Sequence, residues 1–179
     1  MLAVVHKDWV AMPSDRQIAI LKKLKPDMLC TFVRKIDPLK TDVSVLRWIA
    51  ARQELDLGTA LTLFFNFEPS RLNLLTRDNY PRDLREYCAV MDVLCQRINC
   101  GFYIPIASRK MDDPSVITDW LRRQDEDQGL GRRGRWILNA KLLSPMIDQP
   151  KARTFGGRSA QRRGIIQGLF TPLFVANRS

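Results

Sequence analysis

The stretch NYPRDLREYCAVMDVLCQRINCG, residues 79–101, decides the fold class of this chain. Its apolar residues recur at intervals of three and four, which places them on one face of an α-helix. Pro81 suits the first turn of such a helix, and Gly101 suits its end. We therefore predict a long amphipathic helix here, with a buried face made of Leu84, Tyr87, Cys88, Met91, Leu94, Cys95 and Ile98.

Helical spacing of apolar residues continues on both sides of this stretch. Capping residues and prolines delimit short helices near residues 14–25, 26–36 and 42–53, and another begins after Asp113. The strongly apolar run at residues 60–67 fits either a buried strand or a buried helix, and its helical neighbours favour a helix. The pattern predicts an all-α or predominantly α fold, a compact domain of short helices.

Charge divides the chain unevenly, which suggests a boundary. Residues 131–179 contain ten Lys or Arg and one acid, Asp148, whereas residues 1–130 contain 19 basic and 18 acidic side chains. Glycines also concentrate after Gly129. We therefore expect a helical domain at residues 1–128 and a basic, Gly/Arg-rich C-terminal extension at residues 129–179. An uncompensated positive segment attracts anionic partners.

The extension interleaves arginines with aromatic residues, as partner-binding and nucleic-acid-binding segments do. Guanidinium groups bind carboxylates and phosphates, and aromatic rings can stack on bases. An acidic protein partner is the first hypothesis, and DNA or RNA is the alternative. The candidate binding residues are Arg132, Arg133, Arg135, Trp136, Arg153, Phe155, Arg158, Arg162 and Arg163.

Two other interpretations of the same residues stay open. Trp136, Ile137 and Leu138 fit a further helix together with Leu142 and Leu143, in which case the arginines only decorate its surface. Alternatively, Arg132, Arg133 and Arg135 pair with the acidic run 125–127, although exposed ion pairs contribute only about 0–1 kcal/mol each.

The chain ends on an apolar segment, residues 165–175, which Gly168 and Pro172 interrupt. We expect it to pack on the domain, on a protein partner or on a second copy of the chain in a homo-oligomer. The sequence contains no export signal and no transmembrane segment, which indicates a cytoplasmic protein.

Catalytic patterns are weak, so an enzyme is the least favoured class. His6 is the only histidine, and the acidic clusters lack the spacing of a cation loop. The four cysteines, Cys30, Cys88, Cys95 and Cys100, form no Cys-x-x-Cys pair and are expected to be reduced. We predict no catalytic residue, no metal site and no cofactor.

The residues Leu46-Arg-Trp-Ile-Ala50, then Asp56-Leu-Gly-Thr-Ala-Leu61 and Phe64-Phe65, resemble a family of small bacterial α-helical domains of unknown function. The likeness covers about 30 residues and implies an α-rich bacterial fold, with no activity to transfer. Independently, Gly58 suits a left-handed turn, Thr59 suits a helix cap, and Asp56 suits the positive end of the helix dipole. Recognition of a ligand or partner by Asp56 is the alternative.

Overall fold

A computed structural model describes residues 9–76 and 79–147, and these form an all-α fold, as predicted. The described residues belong to one compact unit. Within the described part, no helix has the length and apolar character needed to cross a bilayer. Its seven α-helices are α1 (Ser14–Leu21), α2 (Pro26–Val33), α3 (Val43–Ala50), α4 (Leu57–Asn66), α5 (Arg85–Asn99), α6 (Ser115–Gly129) and α7 (Ala140–Ile147).

Helix α5 is the long amphipathic helix that residues 79–101 predict. A 3₁₀ turn, Arg82–Leu84, leads into it, and it ends before Gly101, whose φ of +72° is the left-handed conformation that glycine adopts easily. The helix packs against α3 and α4. The buried residues include five of the predicted seven: Cys88, Met91, Leu94, Cys95 and Ile98.

Helix α4 is the central buried helix, so the strand alternative for residues 60–67 is wrong. Seven of its ten residues are buried, and it packs against both α5 and α2. A helix that is apolar on nearly all sides must be covered on all sides. Helices α2 and α5 supply part of that cover, and α1 packs on α3.

The chain after α6 packs into the same unit. Residues 132–139, here called the strap, form no regular helix or strand, and α7 then packs against α6. Trp136 and Leu138 are buried in the core from this irregular segment. The helix expected to include Trp136 therefore begins only at Ala140, since the strap makes most of its hydrogen bonds with side chains and backbone groups of other segments.

Candidate partner-binding surface

The Asp56 motif forms the start of α4 and caps it. The Asp56 carboxylate accepts hydrogen bonds from the Thr59 backbone N–H (2.7 Å) and the Thr59 hydroxyl (3.0 Å). Asp56, rather than Thr59, is therefore the N-cap, and Thr59 occupies the third helical position. The prediction that Thr59 caps the helix is wrong by one turn.

Gly58 is required by close packing and not by backbone conformation. It lies inside α4, and its φ is not among the positive values found in the described residues. A Cβ at this position would overlap the backbone carbonyl oxygen of Arg109. The expected left-handed turn at Gly58 is therefore corrected: glycine is needed here so that another backbone can approach the helix.

Two arginines that the sequence did not single out hold the motif in place. Arg34 donates to the Thr59 hydroxyl (2.9 Å), to Asp56 (3.2 Å) and to the Arg109 carbonyl (2.6 Å). Arg109 in turn pairs with Asp27 and lies 3.7 Å from Asp56. A buried carboxylate is stable only if it is paired and hydrogen-bonded, and these contacts supply both.

This cluster therefore ties α2 and α4 to the loop that carries Arg109. Asp56 is 1% exposed, and the Leu57 N–H also bonds to the Ile104 carbonyl in that loop (3.0 Å). Because its carboxylate oxygens are taken up by internal donors, the geometry favours a structural role for Asp56 over ligand recognition.

The strap fixes Arg135 and Trp136 against α5. Arg135 makes a two-pronged ion pair with Asp92 (2.8 and 2.5 Å), and the Trp136 indole N–H donates to the same carboxylate (2.9 Å). The hydrogen bonds to Asp92 raise the pKa of the Arg135 guanidinium above its ordinary value. Tyr80 lies beneath the Arg135 guanidinium, 4.7 Å from it.

These contacts change the expected roles of both residues. Trp136 is 1% exposed and packs edge-on against Phe64, so its ring is not available to stack on a base. Arg135 is already neutralised by Asp92. The structure therefore places Trp136 in the core and the partly exposed Arg135 in an internal ion pair. The arrangement could not be foreseen because Asp92 lies 43 positions from Arg135 in sequence.

Side-chain amides and one backbone carbonyl hold the rest of the strap. Asn73 accepts from the Trp136 N–H (2.8 Å) and, through its backbone carbonyl, from the Arg135 N–H (2.8 Å). Gln124 both accepts from and donates to the Leu138 backbone (2.8 and 3.1 Å). The Asn99 side-chain amide donates to the Ile137 carbonyl (2.6 Å) and accepts from the Asn139 N–H (2.9 Å).

Arg132 and Arg133 remain at the surface. Arg132 pairs with Asp127 at 2.6 Å, one of the pairings that the sequence left open, and Arg133 is exposed and makes no ion pair with the described residues. The other predicted site residues, Arg153, Phe155, Arg158, Arg162 and Arg163, lie outside the described residues, as does the apolar segment 165–175.

A surface groove that the sequence did not predict lies between α6 and the chain just after α4. Two adjoining clefts share Ser70, Trp120 and Arg123; one also reaches Leu74 and Arg132, and the other reaches Glu68. We call this the Trp120 groove. Trp120 and Arg123 lie on one face of α6, three positions apart.

Trp120 forms the rigid wall of the groove. Its ring packs edge-on against Phe64 and Phe65, with centroids 5.9 and 5.8 Å apart. The residue is 7% exposed, yet its indole N–H has no acceptor among the described residues. An unsatisfied buried donor costs about 1–3 kcal/mol, and this N–H is one of four buried side-chain polar atoms without a partner among the described residues, with the Trp9 indole N–H, Gln17 Oε1 and Arg52 Nε.

The cysteines of the described part are free thiols, three of them buried. Burial raises the pKa of Cys95 to about 11, and it also raises the pKa of Cys30 and Cys88. Such thiols are poor nucleophiles near neutral pH. Among residues 9–76 and 79–147, no group of three His, Cys, Asp or Glu side chains is arranged to hold a metal ion.

Comparison with known proteins finds no match: no family model, no curated protein and no solved structure is significantly similar to the chain.

Proposed function

We propose that this chain is a cytoplasmic, bacterial-type binding protein without a catalytic role, which engages an acidic protein partner through its basic C-terminal segment. The observation that carries the proposal is the distribution of charge that remains after internal pairing. Arg132 and Arg135 each have an acidic neighbour in the fold, whereas residues 148–179 contain six basic side chains and one acid.

Residues 148–179 thus carry a formal net charge of +5, half of the +10 of the whole chain. In the described part of the segment, Arg133 and Lys141 are exposed and make no ion pair with the described residues. Arginine and lysine clusters of this kind steer the encounter with acidic surfaces and fix the register of the complex.

Nucleic-acid binding is the weaker alternative because one of its two candidate stacking residues is taken up in the core. Stacking on single-stranded bases needs an accessible aromatic ring. Trp136 is buried against Phe64 and bonded to Asp92, and the other candidate, Phe155, lies outside the described residues. Backbone neutralisation alone gives sequence-independent binding that falls steeply with salt.

The test compares two anionic polymers on the full chain. Fluorescently labelled polyglutamate and single-stranded DNA of matched length are titrated at about 50 and about 200 mM salt. The variant carrying Arg153→Gln, Arg158→Gln, Arg162→Gln and Arg163→Gln, here called the tail variant, removes four charges and changes no described residue. Arg82→Gln, Arg85→Gln, Arg16→Gln and Lys23→Gln together give a control of equal net charge.

We expect polyglutamate to bind the natural chain and to bind the tail variant at least about ten-fold more weakly, with the control close to the natural chain. Tighter binding of DNA than of polyglutamate at both salt concentrations would establish the alternative. Equal losses in the tail variant and the control would show that only net charge matters and would refute a binding segment.

A further inference from the structure

We propose that the Trp120 groove is a docking site for the carboxylate side chain of an acidic peptide, with an apolar neighbour of that carboxylate packed on Trp120. The inference rests on the proposed function, since it gives the acidic partner a second contact on the helical domain. The groove is formed by described residues of the helical domain.

The charges around the groove leave one arginine without an acidic partner among the described residues. Every acidic side chain along it already has an arginine partner: Glu68 with Arg71 (2.7 Å), Asp127 with Arg132 (2.6 Å), and Asp119 and Glu126 with Arg122 (3.4 and 2.7 Å). Arg123, which lines both clefts and is exposed, makes no ion pair or hydrogen bond with the described residues. It is therefore the charged group in the groove that is left to receive an external anion.

A carboxylate also fits the donor that the groove presents. It has two acceptor oxygens, and the Arg123 guanidinium can donate to both. The Trp120 N–H lacks an acceptor among the described residues but is itself buried, so Trp120 serves the groove as an apolar surface and not as a donor. A cationic or purely apolar ligand would leave Arg123 without an acceptor, which selects the class of ligand.

The aromatic packing around Trp120 also gives the groove an apolar surface that is held in place before any ligand binds. Trp120 is held by Phe64 and Phe65, and Leu74 is nearly half exposed at the edge of one cleft. Rigid aromatic side chains add contact area at little cost in conformational entropy. The groove thus suits a peptide in which an acidic residue adjoins a leucine or a similar side chain.

Formal charge sets how this contact should respond to salt. The arginines and acids around the groove balance once Arg122 is counted, four of each. Binding here depends on local hydrogen bonding rather than on a long-range field, and such contacts are screened little. The salt dependence should therefore be shallow, in contrast to the steep dependence of a polyanion on the C-terminal segment.

The experiment titrates the full chain with a labelled short peptide of alternating leucine and glutamate, and with its leucine–glutamine counterpart. We expect Arg123→Gln to weaken binding of the glutamate peptide at least about ten-fold, and Trp120→Phe to weaken it about three- to ten-fold. Arg16 on α1 is exposed and makes no ion pair with the described residues, so Arg16→Gln is the matched control and should change the affinity less than about two-fold.

Stability is measured on the same variants. Arg123→Gln alters a surface residue and should leave the unfolding midpoint unchanged, so it stays informative even if Trp120→Phe misfolds. Equal affinities of the Arg123→Gln and Arg16→Gln variants, or failure of the natural chain to bind the glutamate peptide better than the glutamine peptide, would overturn the docking site.

The tail variant keeps the two proposals apart. Both proposals stand if the tail variant loses polyglutamate binding but binds the short peptide normally, and Arg123→Gln loses short-peptide binding but binds polyglutamate normally. If Arg123→Gln weakens short-peptide binding while the tail variant binds polyglutamate as tightly as the natural chain, the groove stands and the proposed function of the basic segment is refuted. If only the tail variant affects either probe, the groove is refuted and the function stands.

Discussion

Replacing Asp56 by asparagine tests whether the cluster around α4 is held by charge or only by capping. Asparagine caps helices about as well as aspartate, so the substitution keeps an acceptor for the Thr59 N–H. What it removes is the negative charge that faces Arg34 at 3.2 Å and Arg109 at 3.7 Å. The fold then retains two guanidinium groups around a neutral buried side chain.

The expected loss follows from burial. Removing one partner of a buried ion pair costs about 3–5 kcal/mol, because the remaining charge stays desolvated. The Arg34 and Arg109 side chains keep 16% and 28% of their exposure, so water screens part of that penalty, and we expect the lower end, about 3 kcal/mol. With a urea dependence of about 2 kcal/mol per M, the midpoint should fall by about 1.5 M.

The matched control is Asp42→Asn. Asp42 is also an N-cap, accepting from the Ser44 N–H at 2.8 Å, but it is exposed. Its substitution should cost no more than about 0.5 kcal/mol. Urea unfolding followed by tryptophan fluorescence measures both variants. Equal midpoints for Asp56→Asn and Asp42→Asn would refute the account of Asp56 as a charge-paired core residue.

Three further outcomes are expected. Gly58→Ala should destabilise the fold by about 2 kcal/mol or more, because its Cβ overlaps a backbone carbonyl, whereas Gly129→Ala, with open space around it, should stay within about 0.5 kcal/mol by urea unfolding. Stability should fall as the pH rises from 9 to about 11, because in this range the unfolded chain loses the Cys95 proton and the folded chain keeps it. Burial also raises the pKa of Tyr103 from 10.0 to about 12, which extends the loss to higher pH. In unfolding curves measured at several pH values, Cys95→Val should reduce the slope of stability against pH. Among the four thiols, only exposed Cys100 should react quickly with a thiol reagent under native conditions, as peptide mapping after brief labelling will show; fast labelling of Cys95 would contradict its burial.

The helices were accessible to sequence reasoning because their signals are local. Helix α5 repeats its apolar residues at helical spacing over four turns, so its buried face can be read directly. The caps and prolines that delimit α2 and α3 lie within a few residues of the ends they determine. The ambiguity at α4 arose because a helix buried on all sides carries no periodic polar face.

The side-chain clusters could not be predicted from the sequence because their members lie far apart along the chain. Arg34 and the Arg109 carbonyl are 75 positions apart, and the sequence around Asp56 does not predict either of them as a partner. The strap contains no regular structure of its own, so Trp136 could be placed only by knowing that Asn73 and Asp92 converge on it. The Trp120 groove likewise depends on where the chain after α4 passes α6, which no local pattern specifies.

The way in which the strap is bonded also sets how the native fold opens. In a β-sheet, an inner strand is released only when a ladder of backbone bonds breaks, but here the amides of Trp136, Leu138 and Asn139 end on single side chains. The strap and α7 can therefore detach as one unit while α1 to α6 stay folded, as partial unfolding units do elsewhere. Native-state hydrogen exchange should show these three amides exchanging together, at a lower opening free energy than the amides in the middle of α5.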